Sequence, residues 1–192
     1  MEETIMDALK KLAISAGSTN VGFAKVSDMR FDRAFRAACT QNICGKYGTC
    51  WMCPPDVGDI DEMIKIAKAY DNIMVFQTIS ELEDSYDFEG METAGKNHNK
   101  ITVTVIEGVE ELLGPRATPL EANTKKPLVM GAGACHVCVR CTKGDNLPCA
   151  FPHRAIPSLE VYGIAVSELA AASGMKYING ENTVTFFGGV LF

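Results

Sequence analysis

Eight cysteines occupy two short stretches of a 192-residue chain: Cys39, Cys44, Cys50 and Cys53, then Cys135, Cys138, Cys141 and Cys149. Each stretch can turn four soft, anionic thiolates toward one centre, a density that hydrophobic packing does not require. Such stretches are loops. Between Cys39 and Gly58 the chain has little periodicity, carries Gly45 and Gly48, and sets Pro54 beside Pro55. That composition opposes helix and strand alike and reads as a metal-binding loop. The rest of the chain must therefore build a scaffold that carries two cysteine-rich loops.

The scaffold reads as α/β. Ile5, Leu9, Leu12 and Ala13 mark one face of an opening helix that Gly17 ends. Val21 to Val26 reads as a buried strand. Asp28 is expected to cap a second helix whose stripe is Phe31, Ala34, Phe35 and Ala38, delivering the chain to Cys39. Asp59 and Glu62 have capping-box spacing ahead of Ile60, Met63, Ile64 and Ala67, and Asn72 to Ile79 reads as a strand. Residues 80 to 98 are acidic and polar and read as a surface connection or helical insertion. Residues 100 to 113 favour a long helix ended by Gly114-Pro115. Further expectations are a strand at Lys126 to Met130, short helices at Ser158 to Gly163 and Ser167 to Ala172, and a terminal hairpin around Asn179-Gly180. The predicted whole is one metal-binding domain over residues 1–192: a compact sheet with flanking helices, two cysteine-rich metal-binding loops and a C-terminal hairpin.

Hydrophobic residues make up 47% and charged residues 22%, as in a folded globule rather than a disordered tail. A net charge of −6 argues against a nonspecific nucleic-acid binder, which needs a basic footprint. The opening Met1, Glu2 and Glu3 lead into no long apolar stretch, so neither a signal peptide nor a membrane anchor is expected, and the cytoplasm is the expected compartment. There, cysteines persist as thiols available to metals rather than as disulfides.

The second group is the sharper signal. Cys135-His-Val-Cys138-Val-Arg-Cys141 repeats the opening rhythm of bacterial ferredoxin segments, and the excursion through Gly144, Asp145 and Asn146 returns Cys149 as a fourth ligand for a 4Fe-4S cube. Zinc is the alternative, since it also accepts four thiolates. His136 and His153 lie close by, yet four cysteines already fill such a site. Arg140, Lys143 and Arg154 either offset cluster charge, receive a redox partner, or simply face solvent.

The first group is less regular. A three-thiolate cluster held by Cys39, Cys44 and Cys53 would leave one iron open as a Lewis acid, with Cys50 the natural nonligating member. Alternatively, Cys50 completes the set. A third reading makes Cys50-Trp-Met-Cys53 a dithiol redox pair. Tyr47 and Trp51 are expected to shield or pack this loop.

Cys39 to Cys44, Tyr47-Gly48, Trp51-Met52-Cys53-Pro54-Pro55, Gly133-Ala-Cys135-x-x-Cys138-x-x-Cys141, Cys149-x-x-Pro152, Pro157-Ser158-Leu159-Glu160 and Gly163-Ile164-x-Val166 together resemble an uncharacterised cysteine-rich family of predicted metal-binding proteins. That family is associated with archaea and anaerobic bacteria. The resemblance implies an intracellular metal protein with iron-sulfur chemistry and supplies neither reaction nor substrate. Cys39, Cys44 and Cys53 match the family more clearly than Cys50, and Ala150 and Phe151 depart from its more polar residues before the proline.

The expected function is thus a redox protein carrying one or two 4Fe-4S clusters and transferring electrons to a protein partner. The alternatives are an iron-sulfur enzyme acting on a small molecule at an open iron, and a zinc-stabilised interaction protein. Neither nucleic acid nor membrane is an expected partner, and oligomeric state is not legible.

Overall fold

A computed structural model describes residues 2–121 and 125–192. The first helix, α1, spans Glu2–Ser15, followed by strand β1 at Asn20–Lys25 and a 3₁₀ turn at Val26–Asp28. Helices α2 (Ala34–Cys39) and α3 (Ile60–Lys68) flank the first cysteine loop. Strand β2 (Asn72–Glu81) leads to the long helix α4 (Phe88–Leu113), and strand β3 (Leu128–Met130) enters the second cysteine loop. A 3₁₀ turn at Leu159–Tyr162, helix α5 (Val166–Ala172) and strand β4 (Thr183–Leu191) complete the order.

The fold is mixed α/β, with a four-stranded antiparallel sheet in the order β1-β2-β4-β3. Its two faces explain the apolar run in β2. Side chains alternate across a strand. Ile73 and Val75 enter one core with Met63, Ile66, Tyr162 and Leu169, from α3, the 3₁₀ turn and α5. Met74 and Phe76 enter the other, with Leu9, Ala13, Val105 and Val109 from α1 and α4. Both faces are covered, so successive residues are all apolar.

Burial demands partners for polar groups caught in these layers; Gln77 and His98 Nδ1 have them, while among the described residues His98 Nε2 and Ser18 Oγ do not. Buried Gln77 accepts from Asn20 Nδ2 at 2.7 Å and donates through Nε2 to the Lys176 carbonyl at 2.9 Å. His98 of α4 lies fully buried between the rings of Phe76 and Phe186, each 5.7 Å away, with Nδ1 2.9 Å from Thr78 Oγ1. Burial lowers its pKa to about 4, partly opposed by the nearby Phe187 carbonyl, so the ring is neutral.

Two sequence expectations need correction, and between them one open alternative is decided for the helix. The second helix is only α2: Phe31 lies ahead of it and bridges to Ile164, while Asp32 rather than Asp28 accepts from the Ala34 N–H at 2.8 Å. The acidic stretch after β2 becomes helix at Phe88, where Asp87 caps α4 by accepting from the Gly90 N–H. Among the described residues no clear terminal hairpin forms. β4 ladders instead with β2 and β3, and the segment before it attaches through side chains: Tyr177 stacks on Phe187 at 5.7 Å, and Asn179 Nδ2 donates to Thr185 Oγ1 at 3.1 Å.

Candidate functional site

The first cysteine loop is built from local turns. α2 ends at Cys39, and Asn42, in the left-handed region at φ 50°, accepts the Tyr47 N–H on its side-chain oxygen at 3.0 Å. Gly48 takes φ 70°, where a side chain is strained, and its N–H donates to the Pro54 carbonyl at 2.9 Å. Inside that closure the Cys53 N–H donates to the Cys50 carbonyl at 3.0 Å, a tight turn over Trp51 and Met52. α3 then begins with Asp59 accepting the N–H groups of Asp61 and Glu62.

The second loop leaves β3 at Gly131, whose N–H donates to the Pro157 carbonyl at 2.9 Å. A 3₁₀ turn over Thr142–Asp145 and left-handed Asn146, at φ 53°, swing the chain back toward Cys149. Arg140 pairs with Asp145 at 2.7 Å, and Thr142 Oγ1 donates to the Pro148 carbonyl at 2.8 Å. The two loops are then tied together. Trp51 Nε1 donates to the Leu147 carbonyl at 3.0 Å, while Lys143 pairs with Asp56 and stands 4.5 Å from the centre of the Trp51 ring.

The thiols regroup on folding. Cys50 crosses to the second set: with Cys135, Cys138, Cys141 and Cys149 it lines one crevice, walled by Met52 and Phe151. Cys39, Cys44 and Cys53 remain near enough for their charges to interact. All eight are free thiols. Cys50 is 3% exposed, whereas Cys44 faces solvent.

Cys50 is the electrostatic focus. The Cys53 thiol donates to it, the largest influence, and lowers its pKa to about 6; burial opposes this, while the N–H groups of Met52 and Cys135 and the Cys141 thiol assist. Cys53, as donor to a thiolate, is correspondingly pushed up. Burial raises Cys135, against the N–H groups of Ile156 and Val137, and the Ile156 N lies 3.5 Å from its sulfur. Cys39 is raised by burial and by Cys44, against the pull of Arg36.

Residues 23–192 match the family described as predicted metal-binding protein (DUF2284). The chain belongs to that family. No curated protein and no solved structure matches it. The family description implies a metal, and the side chains present do not fit one. Among the described residues, no group of three or more His, Cys, Asp or Glu side chains is disposed to hold a metal ion. Five cysteines, Cys50, Cys135, Cys138, Cys141 and Cys149, line one small crevice packed with Met52, Phe151 and Ala155. The crevice they share measures about 20 Å³, room for a water molecule.

This overturns the metal-based expectations. One or two 4Fe-4S clusters, an open catalytic iron, cluster electron transfer and a zinc-stabilised site all required such a ligand group. Five of the cysteines do come together, around one small crevice.

Tyr47 and Trp51 are half-buried in the first loop, with Trp51 packed against the crevice. Arg140 and Lys143 are engaged within the protein, and Arg154 lies over Phe151 at 6.0 Å. His153 is exposed; His136 lines a separate cleft of about 560 Å³ with Glu92, Lys96, Asn99, Glu160 and Phe186. Sequence spacing could not reveal that cleft, because its walls come from α4, β4 and the second loop. No helix among the described residues is long and apolar enough to cross a membrane.

Proposed function

We propose that the chain is a thiol-disulfide redox protein whose working pair is Cys50 and Cys53. The observation that carries this reading is the tight turn closed by the Cys53 N–H on the Cys50 carbonyl, which sets the two cysteines at the ends of one turn. A turn of this kind holds its end Cα atoms within about 7 Å, inside the reach of a disulfide. The dithiol reduces an acceptor disulfide by two electrons. The Cys50 thiolate attacks one acceptor sulfur and expels the other as a thiolate; Cys53 then attacks the Cys50 sulfur of the mixed disulfide and releases the second as it gives up its proton. The products are the Cys50–Cys53 disulfide and two acceptor thiols. A protein dithiol partner would reset the pair.

Anaerobic equilibration in dithiothreitol redox buffers, followed by alkylation and peptide mapping, tests the reading. A single two-electron transition assigned to a Cys50–Cys53 disulfide is expected, absent in Cys50→Ser and in Cys53→Ser. No such disulfide at any poise sinks it, as does a stoichiometric metal on the freshly isolated chain that shields Cys50 from alkylation.

A further inference from the structure

We propose that the cleft beside α4 binds peptide: an extended segment of a partner chain, with lysine or arginine at alternate positions, lies along the free edge of β4. The proposal is independent of the dithiol reading. Its basis is a strand that its neighbour leaves half-paired.

β4 runs from Thr183 to Leu191, but β3 pairs only with Gly189, Val190 and Leu191. Beyond Met130 the chain turns away, and the Gly131 N–H goes to the Pro157 carbonyl on the far side of the lane. Main-chain groups alternate in direction along a strand. Phe192 exchanges both its bonds with Asn72, so the even-numbered residues of β4 face β2 and the odd-numbered ones face the lane of β3. Thr183, Thr185 and Phe187 thus address a lane that no described strand fills. Natural edges are ordinarily blunted by charge or proline. From Asn182 to Phe192 the chain has neither.

The cleft of about 560 Å³ lies against this stretch of β4, with α4 as one wall and Tyr177, Val166 and Glu160 as the other. An edge recessed between two walls admits a single extended chain and keeps out the edge of another folded sheet. Side chains of a strand bound there alternate between the walls. Those opposite Thr185 and Phe187 point as these two do, to the side where Tyr177 stacks on Phe187 at 5.7 Å and where the 3₁₀ turn carrying Glu160 packs. Tyr177 is 50% exposed, and among the described residues Glu160 has no ion-pair partner. On the α4 wall Lys96 already pairs with Glu92 at 2.6 Å, so the charge left for a guest is that of Glu160. A carboxylate beside an aromatic face selects a cation.

The probe is the peptide Lys-Val-Lys-Val-Lys, acetylated and amidated, titrated into the full chain by calorimetry. Laid antiparallel from Phe187 to Thr183, its lysines turn their N–H groups to β4 and their side chains to the Tyr177 wall. N-methylation of the lysine amides is expected to weaken binding at least about tenfold, whereas N-methylation of the valine amides, which face away, changes it less than about threefold. Glu160→Gln is expected to weaken the unmethylated peptide about fivefold. Residue-resolved hydrogen exchange should slow at Thr185 and Phe187 when peptide is added, and stay unchanged at Val184 and Phe186, already bonded to β2. Equal weakening by the two methylation patterns, no binding at millimolar peptide, or slowing confined to other residues overturns the proposal. An unchanged affinity in Glu160→Gln overturns the choice of a cation. Slowing at Thr185 that rises with protein concentration alone puts a second copy in the lane and overturns the peptide.

Discussion

The Lys143 ammonium stands 4.5 Å from the centre of the Trp51 ring, so a cation from one cysteine loop lies on the aromatic face of the other. The same ammonium pairs with Asp56, and both partners of that pair are less than one-fifth exposed. Replacing Lys143 by Met removes the cation and strands a mostly buried carboxylate. The expected loss is about 2 kcal/mol, read as a lower denaturant midpoint. Alkylation of Cys50 should quicken in the same variant. An unchanged rate would show that the bridge does not set the crevice.

Acid should destabilise the chain through His98. Its pKa is about 4 in the fold against 6.5 as the reference value. The unfolded chain therefore binds the proton more readily, so the contribution of neutral His98 is complete above the unfolded value and lost progressively as pH falls through the folded one. Over that window the loss is about 3 kcal/mol. Denaturation midpoints in His98→Gln should show a flatter dependence between pH 7 and about pH 4. An equal slope in both proteins would remove His98 as the cause.

Two glycines should respond unequally to alanine. A Cβ on Gly22 of β1 would lie 2.1 Å from the Ser173 carbonyl oxygen, a backbone atom that cannot swing away. Gly22→Ala is expected to cost about 3 kcal/mol in urea unfolding. A Cβ on Gly108 of α4 meets a Leu12 methyl at a similar distance, but that is the end of a flexible side chain. There the gain in helix propensity offsets the repacking, and Gly108→Ala should fall within about 1 kcal/mol of the parent.

Asp59 caps α3 immediately after the first cysteine loop. Asp59→Ala should lower stability by about 1 kcal/mol, and Asp59→Asn should recover most of it, since an amide oxygen still accepts from the helix N–H groups. Thermal melting of the three proteins checks the order.

Local signals in the sequence proved readable where one element decides its own form. The Asp59 cap, the stripe of α1 and the strand at Asn72 each lie within one periodic segment. What the sequence hid was association between segments. Tyr177 and Ile178 look like a strand, yet Tyr177 spends its ring on Phe187 rather than its backbone on a ladder. Phe31 fits a helical stripe and is taken by a bridge to Ile164. Spacing also assigned each cysteine to its own loop. The position of Cys50 beside Cys141 depends on how Lys143, Asp56 and Trp51 join the loops, and ligand rhythm carries no information about that junction.

That junction also imposes an order on the chain's birth. Cys50 and Cys53 leave the ribosome before α4, β3 and the second loop exist, so for several seconds, at about 5–20 residues per second, Cys50 has only its near sequence neighbours Trp51, Met52 and Cys53 around it. The burial of Cys50 is thus completed only when synthesis is nearly complete. A nascent chain exposed to oxidant is open to indiscriminate cross-linking, and its safety depends on how quickly the last strand, β4, closes the sheet.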